Sequence, residues 1–404
     1  MHQTIGASFR SRDRSLIVIY LDHAATTPLA PEAWAAMRHW LEPGGGMGNA
    51  ASTHAAGRVA QAAVQTAREQ VAARIGAQPE EIVWTSGATE SNNLAIKGAI
   101  EFQGRPRAHI VTSRIEHRCV LDACRWLEAQ RGVRVTYLQP DRLGRIEPAQ
   151  AIEALTPDTV LVSLMWVNNE IGNVTDIPAL ASELRARGVM LHVDAVQAAG
   201  KVPIDLSAVP VDLLSLSAHK LGGPQGVGAL FVRRRPRARV APLLHGGGHE
   251  WGMRSGTLAT HQIVGMGAAL ASIPEDFAVR TAALRERLWQ HLQKVPGVIR
   301  NGDPDRAAPH ILNISVQDVE GESLRAGLFD VALSAGSACS SATDEASYVL
   351  RALGRSDELA HASLRFSMGR TSSESEIDQA AARVVDEVRR LRAISPRRAD
   401  AAGN

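Results

Sequence analysis

The sequence predicts an α/β protein built on a mainly parallel, doubly wound sheet, with a smaller α+β domain following it. Three observations carry this. From Glu81 onward, short β-branched apolar runs alternate with helical patterns, and repeated strand, helix, strand order makes successive strands parallel. The runs are almost continuously apolar, as in strands covered on both faces. The chain has 404 residues, too many for one small core, and large α/β enzymes often combine one dominant sheet with a satellite.

Taken in order, Pro31 suits the first turn of a helix, and the alanine-rich stretch Ala56 to Ile75 forms another that Gly76 ends. "EIVWT" is a strand before a helix from Thr89 to Gln103. "AHIVT" precedes a helix from His117 to Arg131, and "VRVTYL" precedes one from Glu147 to Leu155. "TVLVSLMWV" leads to a helix from Asp176 to Arg187, after which "VMLHVD", "VDLLSLS" and "VGALFVR" complete the sheet. Helices over about Leu258 to Ser272 and Phe277 to Val295 open the second unit. "ILNISV", "VALSAGS" and "SLRFSMG" supply its strands, and Glu374 to Arg392 its last helix. The closing "ISPRRADAAGN" reads as a loose tail.

Composition excludes several classes. With 45% hydrophobic residues, 21% charged and a formal net charge of +2, the chain reads as neither disordered nor fibrous, and it lacks the basic excess of a nucleic-acid binder. The longest apolar run near the start, Leu16 to Leu21, is far shorter than a membrane span, and the stretch before it lacks a signal-peptide layout. Three cysteines, an odd number, fit a reducing compartment and leave room for a reactive thiol, so a cytoplasmic location is expected.

Open parallel sheets bind ligands outside the carboxyl ends of their strands. Lys220 lies there, in "SLSAHKLGGPQG", and is one of only four lysines. An amine in a partly dry site has a lowered pKa and can condense with an aldehyde, which makes Lys220 a candidate Schiff-base lysine. The alternative is a loop lysine paired with a carboxylate. Lys97, Lys201 and Lys294 are expected at ordinary solvated positions, Lys201 in a "GKVPID" turn. A pyridoxal-phosphate lysine would need a phosphate cup, an anion near the pyridine nitrogen and a flat group over the ring. In "TSGATESNN", Gly87, Ala88 and Thr89 join strand to helix and present N–H groups at its positive end, as many such turns do. Asp194 ends the strand "LHVD", where a carboxylate needs a partner; a protonated ring nitrogen would serve, unless Asp194 merely caps the next segment. Gln197 could bond the phenolic oxygen, and His117 could lie over the ring and shuttle protons.

The glycine-rich stretch "HGGGHEWGMRSGT" predicts a flexible loop with a phosphate-binding hydroxyl at Thr257. His245 and His249 without a third ligand make a poor metal site, and none is expected. Cys339, in "SAGSACSSATDEAS", has only small neighbours and is expected exposed, as a nucleophile on a swinging loop; Cys119 and Cys124 fall in a helix and are expected buried.

"YLDHAATTP", "TSGATESNNLAIKG", "EH", "VNNEIG", "HVDAVQ", "SAHK", "HGGGHEWGMRSGT", "GSACSSA" and "RFSMGR", in this order and spacing, closely resemble the pyridoxal-phosphate-dependent cysteine desulfurases of the iron-sulfur-assembly, NifS/IscS-like type. The resemblance spans roughly Tyr20 to Pro396 and implies the fold type I of that family. It further implies a large cofactor domain over 30–274, and a small domain from 1–29 and 275–404 that carries the Cys339 loop. Carried over residue by residue, it implies Lys220 as the Schiff-base lysine, Asp194 on the pyridine nitrogen, Gln197 on the phenolic oxygen and His117 on the ring. Ala88, Thr89, Ser217 and His219 would hold the phosphate, with Thr257 reaching in from a neighbouring subunit of a homodimer. Arg365 would grip the substrate carboxylate, a task for arginine's planar fork, with Asn169 assisting.

Ala218 stands where relatives usually have glycine, and Ala50 where proline is common. The tail stops soon after "LRAISP", without the longer extension that docks the cluster scaffold in housekeeping relatives. "FVRRRPRARV" resembles the basic patch, Arg233 to Arg239, offered to acidic partners such as frataxin or ferredoxin; a solvated arginine hairpin is the other reading. The implied reaction converts L-cysteine to L-alanine and leaves sulfane sulfur as a persulfide on Cys339, for iron-sulfur assembly or another acceptor. A selenocysteine lyase or class V aminotransferase would share the lysine and the phosphate cup, but only the desulfurase strictly needs Cys339. A catalytically idle docking protein would not need Lys220, His117, Cys339 and Arg365 together.

Overall fold

The computed structural model describes residues 18–335 and 345–394. The chain enters through a short strand, β1 (Ile19–Tyr20), and two helices, α1 (Pro31–Leu41) and α2 (Ala55–Ile75). Proline stands at the first position of α1, and Gly76 closes α2 in the left-handed conformation at φ 66°, which glycine adopts without strain. The alternating region follows as β2 (Ile82–Thr85), α3 (Ala88–Gln103), β3 (His109–Ser113), α4 (Arg118–Arg131), β4 (Arg134–Leu138), α5 (Pro148–Glu153), β5 (Thr159–Met165), α6 (Ile177–Ala186), β6 (Met190–Asp194), β7 (Leu213–Ser217) and β8 (Gly228–Val232). Among the described residues these strands form one sheet, in the order β2-β8-β7-β6-β5-β3-β4.

Strands β3 to β7 run parallel, whereas β8 is antiparallel to both neighbours, with Leu214 opposite Phe231 and Val83 opposite Leu230. The short link from Ser217 to Gly228 has no room for a crossover helix, so the chain turns back instead. The two-residue period sorts side chains by face: Ile82, Trp84, Val162 and Leu164 pack in the core that includes α2 and α6, while Val83 and Leu161 face the layer of α3 and α4.

Beyond α7 (Thr260–Ala271) come α8 (Phe277–Leu292), β9 (Val298–Asn301), β10 (Ile311–Val316), α9 (Gly321–Gly327), β11 (Val331–Ala332), α10 (Tyr348–Ala352), α11 (Asp357–His361), β12 (Ser363–Ser367) and α12 (Glu374–Ile394). Strands β12, β10 and β9 make an antiparallel sheet, and β1 returns to pair in parallel with β11. Ile19 and Leu21 therefore share a core with Leu288, Ile314, Phe366 and Val384, far away in sequence. This pairing delivers residues 22–27 to the carboxyl edge of the large sheet, where Thr27 bonds the His219 carbonyl. No described helix is long and apolar enough to cross a membrane.

Candidate active site

The parallel strands end along one edge, and a cavity of about 440 Å³ opens there. Ala88, Thr89, His117, Asn169, Asp194, Gln197, Ser217, His219, Lys220 and Arg365 all line it. Thr257 is exposed and not part of the lining, and Cys339 lies outside the described residues.

Lys220 sits one turn past β7, and its Nζ donates to the carbonyl of Ala24, at 2.8 Å, and to that of Ala25. Asp194 ends the adjacent strand and is 6% exposed. Its carboxylate accepts from the Asn92 side-chain amide at 2.8 Å and from the Val196 N–H at 3.0 Å, and it makes no salt bridge among the described residues. A buried anion held only by neutral donors has its charge uncompensated, which a protonated ring nitrogen would remedy.

Helix α3 begins at the cavity with no side chain capping it, so its first N–H groups, at Ala88 and Thr89, are presented to whatever the cavity holds. Gly87 turns here at φ 150°, a conformation that strains other residues, and Gly228 of β8 lies so close that any Cβ on it would come within 2.7 Å of the Gly87 Cα. Glu90, in this first turn, would repel an anion. Arg254 pairs with it at 2.8 Å, and although burial pushes its carboxyl up, the bonds from Arg254 and Ser86 outweigh that and hold it below its usual range. His219 bonds the Thr26 hydroxyl at 3.1 Å; burial, with Lys220 and Lys201 nearby, lowers its imidazole to about 4. Above that pH it offers a neutral ring. Helix dipole, small turn and hydroxyls fit a phosphate, and the Asp194 end fits a pyridinium; this donor set matches pyridoxal phosphate.

His117 caps α4, its Nδ1 accepting from the Cys119 N–H at 3.2 Å, and it faces the cavity from that position. Arg365, on β12, is 1% exposed; one Nη donates to the Asn169 carbonyl at 2.8 Å and the other to Asp22 at 2.9 Å. Asn169 presents a buried Oδ1 with no partner among the described residues.

Several expectations need correction. Lys201 is not solvated: it is 6% exposed, donates to Gln197 Oε1 at 2.9 Å, and burial, with Lys220 close by, lowers its amine to about 7. Cys124 is buried, but Cys119 is only half-buried and lines the cavity, because it falls in the first turn of α4, at the ligand edge. The stretch 245–257 is pinned at its centre by Glu250, whose carboxylate bonds Arg68 and the Trp84 N–H in the interior. In the basic patch, Arg233 turns inward to the carbonyls of Leu206, Val209 and Val211, leaving Arg234, Arg235, Arg237 and Arg239 outside.

Sequence reasoning also missed Asp22, Asn92 and Glu116. Asn92 falls four residues after Ala88, on the same face of α3, a spacing that could have flagged it. Nothing in the sequence marks Asp22 as the partner of Arg365.

Glu116, next to His117, is 1% exposed; it accepts from the Ser113 hydroxyl at 2.7 Å, while its Oε2 has no partner among the described residues. Burial raises its carboxyl to about 8, against the opposing Ser113 bond. The folded state therefore keeps a proton that the unfolded chain loses near its ordinary 4.5. Stability falls as pH rises from there towards 8, by at most ~1.4 kcal/mol per pH unit from this group. The Glu116→Gln variant removes that slope, so urea midpoints of variant and wild type converge at low pH and separate at pH 8, the variant being the more stable.

The sequence matches the aminotransferase class-V family over residues 19–380. A cysteine desulfurase IscS of Pseudomonas aeruginosa (strain UCBPP-PA14) is 55% identical over 382 residues, 94% of each chain. Among solved structures, SspA in complex with cysteine is 36% identical at a TM-score of 0.78, covering 86% of this chain and 98% of its own. A NifS-like protein is 30% identical at a TM-score of 0.85, covering 93% and 100%.

Proposed function

The chain belongs to the aminotransferase class-V family and is a pyridoxal-phosphate-dependent cysteine desulfurase, and from that premise we propose how its residues share the work. The observation that carries the reading is that Lys220, the buried carboxylate of Asp194, the uncapped start of α3 and Arg365 all line one cavity. When bound, pyridoxal phosphate supplies an electron-withdrawing ring that makes the substrate's Cα–H acidic.

Lys220 holds the cofactor through Nζ and carries the Cα proton, with the His117 imidazole as its partner. Asp194 would keep the ring nitrogen protonated, and Gln197 would donate to the phenolic oxygen. The N–H groups of Ala88 and Thr89, the Ser217 hydroxyl and His219 would hold the phosphate. Arg365, steadied by Asp22, and Asn169 orient the carboxylate of L-cysteine. The Cys339 thiolate attacks the substrate sulfur: an S–S bond forms on Cys339 and the C–S bond breaks. The electron pair left on carbon takes up a proton, and L-alanine leaves.

A cytoplasmic homodimer is the proposed working unit. Thr257 lies outside its own chain's cavity, which suits service to the partner subunit's cavity, and Trp34, Leu41 and Met47 are exposed as an interface would require. The exposed arginines of 234–239 are proposed to dock acidic partners such as frataxin or ferredoxin, and an iron-sulfur scaffold is the proposed sulfur acceptor.

The test feeds L-cysteine to the purified protein and quantifies alanine and protein-bound persulfide in a first turnover, where equal yields are expected. The Cys339→Ser variant keeps its cofactor colour while persulfide falls to background. Alanine release at the wild-type rate from that variant refutes the role given to Cys339.

A further inference from the structure

Behind Gln197 lies a polar cluster that the reaction above leaves without a task. Gln197 Oε1 accepts from Lys201 Nζ at 2.9 Å and lies 3.3 Å from His310 Nε2, while its Nε2 donates to the Ala24 carbonyl at 2.8 Å. That same carbonyl accepts from Lys220. Gln197, Lys201 and His310 are all buried. The Ala24 carbonyl only accepts, so the amide atom facing it has to be the nitrogen, and the oxygen is left facing the N–H donors of Lys201. Burial beside a second lysine disfavours charge on the Lys201 amine, and a polar head group kept in the interior needs a compensating partner. Lys201 has no carboxylate partner within salt-bridge range among the described residues; Gln197 is the partner it has.

We propose that Lys201 is a positioning residue: by holding Gln197 Oε1, it locks the amide so that Nε2 is always a donor to the phenolic oxygen of the cofactor. This rests on the placement of Gln197 given above. The groups facing Lys201 agree with the assignment. Lys220 and Arg365 both push the Lys201 amine down, and His23, His219 and His310 are held below their usual range by burial, with Lys201 contributing to each. No described carboxylate competes with Gln197 for the ammonium.

A donor at the phenolic oxygen favours the more anionic form of the bound chromophore, so losing it moves the pH midpoint of the visible absorption upward. The experiment titrates the visible spectrum of purified holoenzyme for wild type, Gln197→Leu, Lys201→Met and the double variant, with cofactor content and thermal melting checked for each. Each single variant is expected to raise the midpoint by about half to one pH unit, the worth of one charge-assisted hydrogen bond. The double variant is expected to shift no further than either single one, because both act through the same bond. An unmoved midpoint in Lys201→Met, or additive shifts, overturns the proposal while leaving the placement of Gln197 standing. An unmoved midpoint in Gln197→Leu overturns that placement and the proposal with it. Lys201→Gln serves if the methionine variant does not fold: its amide still donates to Oε1, so most of the wild-type midpoint is expected to survive. A shift as large as that of Gln197→Leu shows a charge effect and refutes the orienting role.

Discussion

Replacing Lys220 with alanine is expected to lower the turnover of L-cysteine by ~10³- to 10⁴-fold, the worth of a positioned proton carrier, with the loss of the covalent hold on the cofactor added. Nζ is already fixed by the carbonyls of Ala24 and Ala25 at the cavity wall, so its aim does not depend on a flexible loop. Lys220→Arg fails equally, because a guanidinium stays protonated and cannot serve as a nucleophile. The nearby lysine offers a sharp control. Lys201 is close, and burial lowers its amine to about 7, so by nucleophilicity alone it is a rival. Its Nζ, however, is engaged by Gln197 and does not line the cavity. Borohydride reduction of the wild-type holoenzyme followed by peptide mapping is therefore expected to label Lys220 and not Lys201. A label on Lys201, or on neither, overturns the site. A small exogenous amine restores part of the activity of Lys220→Ala if proton transfer is what was lost.

The second large effect concerns stability. Glu250→Gln is expected to cost ~3–5 kcal/mol, read as a lowered midpoint in urea, because it leaves a buried guanidinium without its counter-ion. Arg68 reaches Glu250 through both Nη atoms, at 2.9 and 2.8 Å, and the side chains are 6% and 3% exposed. The guanidinium carbon also lies 5.5 Å from the Trp84 ring centroid and 4.8 Å from that of Trp251. Glu250 and Trp251 adopt φ of 51° and 56°, which non-glycine residues rarely do, so the ion pair also holds a strained turn. The paired replacement Arg68→Met with Glu250→Leu recovers part of the loss, since it removes both charges together but leaves the buried Trp84 N–H without its acceptor. If Glu250→Gln melts as wild type does, the pair is not holding this loop.

The alternation of apolar runs and helical patterns was legible because it is local: period and propensity decide it within a few residues. Thus "ILNISV" forms β10 over the whole predicted stretch, and Ala56 to Ile75 misses α2 by one residue. The site was legible for a related reason. Parallel strands end at the same edge, so Asp194 and Lys220, at and just past the ends of apolar runs, come to line one cavity there. What stayed hidden depends on chain that comes from elsewhere. Lys201 looks like any turn lysine until Gln197, His310 and the segment around Ala24 close over it. Glu250 looks like part of a floppy glycine stretch until Arg68, 182 residues earlier, meets it in the interior. Asp22 likewise finds Arg365 across 343 residues.

The sequence by itself therefore determined the layering of strands and helices, and the sheet edge at which the candidate cavity opens with its lining residues. The tertiary structure alone decided which charges are buried and what each one holds. The reason is physical: periodicity is written in neighbouring residues, whereas the removal of a charged group from water depends on every segment that packs against it.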